Sequence, residues 1–230
     1  RQRQMCIRDR LYAVALHRDY KAGGEDRTME AAPEDTMVYF KIAGCDLTMA
    51  ETDNRGTVFF GHWNRDKFLE LAATTPALHY DLTRVTGIDS LPQVANPNIL
   101  FYLDAASDAT GRNIIKDGVC EELYLTLGYD YYAQQPFTAR RAVFDPQSSS
   151  TKWQYIALPF DCEVPEGSRA RRIKKLSNIL ISESDEVNTT LKACTPYLYR
   201  TTRPGEDRIT ATDVTVDDGH GTATSDTLSY

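Results

Sequence analysis

From Pro136 onward, short β-rich runs alternate with glycine and proline turn segments, and this rhythm restricts the fold more than any other feature of the chain. The runs cover 137–144, 152–158, 169–176, 179–182, 196–200 and 213–216. Between them fall Pro146-Gln-Ser-Ser-Ser150, Pro165-Glu-Gly167, Ser177-Asn178 and Arg203-Pro-Gly205. Strands at this spacing predict an antiparallel β-sandwich over 136–230. Pro159 and Pro165 cannot donate to a sheet ladder, so they mark strand ends or an edge. Thirteen tyrosines against eight phenylalanines point the same way, because a half-buried ring with a wet hydroxyl suits a pleated surface.

The preceding stretch, 37–135, reads differently. The runs 37–42 and 57–60 are β-rich and are separated by Asp53-Asn-Arg-Gly56, a turn composition. Asn64 then offers a helix N-cap, with Asp66 in the first turn and Phe68, Leu69, Leu71 and Ala72 as an apolar stripe. Pro76 lies just beyond the stripe, which gives one short helix. The strand-like runs 78–82, 99–103 and 123–127 begin 21 and then 24 residues apart. That period predicts an irregular repeat-capping unit, leucine-rich or β-solenoid-like, in which each coil buries its face on the next. The expected fold is therefore mainly β, with a repeat-capping unit followed by a sandwich. Residues 11–36, rich in glycine, proline and charge, read as a strand remnant and linker.

Residues 1–10 carry four arginines and one aspartate, with neither the apolar core nor the cleavage site of a signal peptide. They look like a translated sequencing adapter, so the natural protein is expected to extend upstream of this fragment. The net charge of −7 argues against a nucleic-acid or anionic-membrane footprint, and no apolar run approaches the ~20 residues of a membrane helix. Cys45, Cys120, Cys162 and Cys194 lack the close spacing of a zinc or redox site. Two readings stand for them: small buried hydrophobes, or a Cys162–Cys194 disulfide between strand ends.

No phosphate loop, nucleophile elbow or metalloprotease helix is present. His17, His62, His79 and His220 are scattered, and the Asp217-Asp-Gly-His-Gly221 turn lacks the alternating oxygens of a calcium loop. The pattern nominates no catalytic residue, metal ligand or cofactor. Arg169-Ala-Arg-Arg-Ile-Lys-Lys175 reads as a charged edge strand, or as a contact for an acidic polysaccharide or neighbouring domain. The aromatics are more suggestive. Tyr129, Tyr131 and Tyr132 precede the expected domain junction, and Trp153, Tyr155, Tyr197 and Tyr199 lie on sandwich strands as candidates for stacking on a ligand. Alternation places Trp153 with Tyr155, and Tyr197 with Tyr199, on one sheet face each.

Three ordered motifs, Trp153-x-x-x-Ala157-Leu-Pro-Phe-Asp161, Val164-Pro-Glu-Gly167 and Ala193-x-Thr195-Pro-Tyr-Leu198, resemble a module of secreted and cell-surface Bacteroidota proteins that follows leucine-rich or other repeats. Upstream, the stretch 81–92, Asn96-Pro-Asn98, the stretch 125–133 and Pro136-Phe-Thr-Ala139 resemble the same family, so the likeness spans roughly 65–216. Cys162 and Cys194 depart from its pattern, as does the basic segment after Gly167. The resemblance implies export, surface display and no catalytic residues. A non-catalytic structural or adhesive module is expected, supporting upstream repeats and contacting glycan or host protein. The alternative is a carbohydrate-binding accessory module of a secreted glycan-degrading enzyme.

Overall fold

Alternating apolar and polar residues favour strands that pack one face, and continuous apolar runs favour strands buried on both; the chain contains both kinds. The computed structural model describes residues 17–22, 25–30, 47–51, 56–74, 77–177 and 180–218. The expected run 37–42, with Cys6, Cys45 and His220, lies outside them. In order, the elements are β1 (His17–Ala22), β2 (Glu25–Glu30), β3 (Thr48–Glu51), β4 (Gly56–His62), α1 (Arg65–Ala72), β5 (His79–Thr86), β6 (Leu100–Leu103) and β7 (Ile114–Lys116). They continue with β8 (Val119–Thr126), β9 (Phe137–Asp145), β10 (Gln154–Ile156), β11 (Cys162–Glu163), β12 (Ser168–Ser177), β13 (Leu180–Val187), β14 (Thr190–Leu191), β15 (Tyr197–Thr201) and β16 (Ile209–Val216). The protein is mainly β, as expected, with one helix among the described residues.

An eight-stranded mixed sheet runs in the order β16-β9-β8-β7-β6-β5-β4-β3. Strands β4 to β7 are parallel to one another, and β3 pairs antiparallel with β4. The third of the regularly spaced runs, now in β8, does not extend that parallel stack: it runs antiparallel to β7. The reversal comes from Asp117 and Gly118, with φ of 48° and 73°. Positive φ at both central residues suits a two-residue turn that matches strand twist, and Asp-Gly is a favoured pair for it. Strands β9, parallel to β8, and β16, antiparallel to β9, complete the sheet, so it continues across residue 135. A second sheet has the antiparallel order β10-β15-β12-β13, and β11 pairs with β14. Within the stretch expected as a linker, β1 and β2 form an antiparallel hairpin.

The helix forms as its sequence predicts. Asn64 Oδ1 accepts from Lys67 N at 3.0 Å, which satisfies one of the orphan amides of the first turn. Its one fully buried residue, Phe68, sits among Phe59, Trp63, Tyr80 and Phe101, with ring centroids 5.0, 5.2, 5.2 and 6.4 Å away. Gly56 opens β4 with His79 lying over it: a Cβ there would fall 1.9 Å from the ring Nε2.

Two cores lie on opposite faces of the large sheet. Tyr80, Leu82, Phe101, Leu103 and Ile114 join the helix-side core. Leu100, Tyr102 and Ile115 join the other, together with β8 and β9 residues and Ile156, Ala170, Tyr197 and Tyr199 of the four-stranded sheet. The turns of this double-sided region are pinned by two buried asparagines. Asn113 Nδ2 donates to Pro97 O (2.9 Å) and Tyr124 O (3.0 Å), and its Oδ1 accepts from Tyr124 N (2.6 Å). Asn98 Nδ2 donates to Thr126 O and Tyr129 O, both at 2.9 Å, and its Oδ1 accepts from Thr126 N at 2.7 Å.

Asn113 also has a φ of 60°, a region that asparagine enters more readily than most residues with a Cβ. Asn113→Ala removes three bonds and leaves buried backbone groups unpaired, which is expected to cost about 3 kcal/mol or more. Urea unfolding measures it, and a loss below about 1 kcal/mol would mean that the bracket contributes little.

Candidate functional site

The outward face of the four-stranded sheet gathers the residues best suited to contact a ligand. Strand β10 pairs with β15 so that Tyr155 faces Leu198, while Gln154 and Ile156 face Tyr199 and Tyr197. Because successive side chains point to opposite sides, the two aromatic pairs separate. Trp153 and Tyr155 face outward and are 38% and 58% exposed. Tyr197 and Tyr199 face the core at 2% and 0%, which removes both as stacking residues.

The inward pair is held by its hydroxyls. Tyr199 Oη donates to the Asp207 carboxylate and lies 2.8 Å from Ser168 Oγ. Burial first, and then Asp207, push its pKa up. Tyr197 Oη accepts from Lys192 N at 2.9 Å. Both rings are therefore satisfied core residues, not free platforms.

Arginines surround the outward pair. The register sets Arg169 opposite Arg200 and Arg171 opposite Leu198, so all three guanidinium groups arise on the same face as Trp153 and Tyr155. Arg200 Cζ lies 5.2 Å from the centroid of the Trp153 ring, a cation–π contact worth about 0.5–1 kcal/mol at an exposed site. Arg171 Nε donates to Ser184 Oγ (2.9 Å) and its Nη2 to Ser184 O (2.8 Å), which fixes its plane. Arg169 Nε donates to Glu186 Oε1 at 3.0 Å. That bond and the charge of Arg169 hold the Glu186 carboxyl below its ordinary range, with Arg171 adding to the effect.

Other chemistry is poorly placed. Of the two readings of the cysteines, the Cys162–Cys194 disulfide is not formed, and both residues are free thiols. Cys162 lies opposite Leu191 in the β11–β14 ladder and is buried in the core. Cys194 instead sits in a turn with φ of 52°, its amide bound to Leu158 O at 2.7 Å and its thiol turned toward Asp217. Burial pushes the Cys120 and Cys162 thiols up to about 12, and Cys194 to about 11. Thiols held protonated in this way are weak nucleophiles and weak metal ligands. Among the described residues, no group of three or more His, Cys, Asp or Glu side chains could hold a metal.

A concavity of about 520 Å³ opens between the β5–β6 and β6–β7 connections, lined in part by Pro97, Arg112, Tyr124 and Tyr129. Arg112 Cζ lies 4.4 Å from the Tyr124 centroid, and its Nε bonds Glu122 at 3.2 Å. Tyr129 is 49% exposed. Sequence reasoning missed this cleft because residues on two separate connections and β8 meet only after the sheet forms.

Asp161 ties the turn before β11 to the turn after β14. Its Oδ2 accepts from Lys192 Nζ and its Oδ1 from Ala193 N, both at 2.7 Å. Burial alone would raise its pKa, but the Lys192 ammonium and the Ala193 amide outweigh it and hold the carboxyl below its usual value. A lowered folded-state pKa adds stability above the unfolded value, about 3.9, and that stability disappears as pH falls through the folded value. The wild type is therefore expected to exceed Asp161→Asn in urea midpoint at pH 7, with the gap closing toward pH 3. An equal gap at both pH values would count against the clamp.

No protein-family model matches the chain, and no curated protein or solved structure matches it either. The geometry of its own residues is what supports a functional reading.

Proposed function

We propose that this chain is a non-catalytic adhesive module of an exported or cell-surface bacterial protein, and that its outward β10–β15–β12 face contacts glycan. One observation carries the reading: Trp153 and Tyr155 remain 38% and 58% exposed on one sheet face while the neighbouring aromatics of the same sheet are buried. Leaving large apolar rings in water forgoes burial energy of about 1.5–3 kcal/mol each, and flat rings beside polar groups suit the apolar faces of sugar rings. In this reading the parallel strands β4 to β7 form the closing coils of a repeat array. The four-stranded sheet then packs as the second layer of a sandwich, on a large sheet that both units share. Surface display follows from the family that the motifs resemble.

The same face equally suits an accessory binding module of a glycan-degrading enzyme, with catalysis elsewhere in the parent protein. The exposed aromatic pair favours that second reading over a mere spacer.

Retention in native gels containing soluble polysaccharides tests both. Trp153→Ala and Tyr155→Ala are each expected to weaken retention about tenfold, the equivalent of about 1.4 kcal/mol. Tyr199→Phe is expected to lower stability and leave retention unchanged. Retention that survives the loss of both outward rings would sink the proposal, as would turnover of any tested glycan that one point mutation abolishes.

A further inference from the structure

The geometry points to a carboxylated polysaccharide, a polymer of uronic acids, as the ligand of the Trp153–Tyr155 face; this rests on the glycan reading above. Three arginines share that face with the two rings, paired across strands as Arg169 with Arg200 and Arg171 with Leu198. Glu186 is bonded to Arg169. The patch is thus a local positive excess on a chain of net charge −7, a contrast that favours an anionic partner at this place.

The orientation of the arginines sharpens the choice of anion. Arg200 lies over the indole of Trp153 at 5.2 Å. A guanidinium held over a ring by its charge still has N–H groups to give to acceptors. Arg171 is held by two bonds from Nε and Nη2 to Ser184, so it presents a fixed plane whose Nη1 end is left for an acceptor. Planar, pre-oriented forks match the two oxygens of a carboxylate in a bidentate pair.

Spacing fits as well. Trp153 and Tyr155, two positions apart on an extended strand, are separated by about 6.6 Å. A chain of saccharides laid across β10 toward β15 and β12 would place apolar ring faces on the aromatics and carboxylates toward Arg200 and Arg171. The small number of charges separates this surface from one built for nucleic acid, which neutralises many phosphates at once.

The test uses the full chain in affinity gels containing polygalacturonate, a neutral galactan or dextran sulfate, at low and moderate salt. Polygalacturonate is expected to retain the protein at least tenfold better than galactan, with retention falling as salt screens the contact. Arg200→Lys and Arg171→Lys keep the charge and lose the fork, so each is expected to weaken polygalacturonate binding about fivefold or more while the protein stays folded at the assay temperature, as circular dichroism checks. Glu186→Gln is expected to strengthen it.

Equal, Trp153-dependent retention by galactan and polygalacturonate would overturn the uronate assignment and leave the glycan reading intact. Stronger retention by dextran sulfate, or undiminished retention of both lysine variants by polygalacturonate, would overturn it too, in favour of a charge-only contact. No retention by any of the three polymers would overturn the inference and the glycan reading together.

Discussion

Strand β6 has no solvent side, and the arrangement of the rest follows from that. Leu100 and Tyr102 enter one core while Phe101 and Leu103 enter the other, all four at 7% exposure or less. Burying four such side chains contributes about 6–12 kcal/mol as an upper figure, comparable to the whole net stability of a typical domain. A strand of this kind needs cover on both faces. The helix α1 and the connections that follow β5 and β6 supply it on one face, and the four-stranded sheet with β11 and β14 supplies it on the other. The outward face that carries Trp153 and Tyr155 is the reverse side of that second cover, so its position depends on the core beneath it.

Double-sided burial has a polar cost, because the connections around β6 and β7 also leave water and their backbone groups must still be paired. Asn98 and Asn113 meet that requirement with side-chain amides that reach the backbone of β8 and the turn beyond it. The Asp117–Gly118 turn then sets the direction of β8, which becomes the first antiparallel neighbour after the parallel run. These few residues decide where the parallel run stops and where the second sheet can dock.

Much of the local structure was legible. The Asn64 cap, the Phe68 stripe and most β runs appear where their residue types predict, since capping and alternation act over a few neighbours. The period of 21 and 24 residues was misleading in one respect. It selected β5, β6 and β8 and passed over β7, whose three residues carry too little pattern to register, although Asp117–Gly118 was there to mark a hairpin. The cysteines left two readings open for a related reason. Proximity to strand ends placed Cys162 and Cys194 in one region, but Cys162 is buried in the core and the Cys194 thiol is turned toward Asp217.

The candidate face divides in the same way. By itself the sequence determined that Trp153 and Tyr155 share a side, that Tyr197 and Tyr199 share a side, and that Arg169 and Arg171 alternate with Ala170, because parity along an extended chain is a local property. Which pair meets water was decided only by the tertiary structure. Cross-strand register set Tyr155 against Leu198, and the eight-stranded sheet claimed the side bearing Tyr197, Tyr199 and Ala170. Parity leaves two equivalent choices, and only the packing of a distant layer breaks the tie.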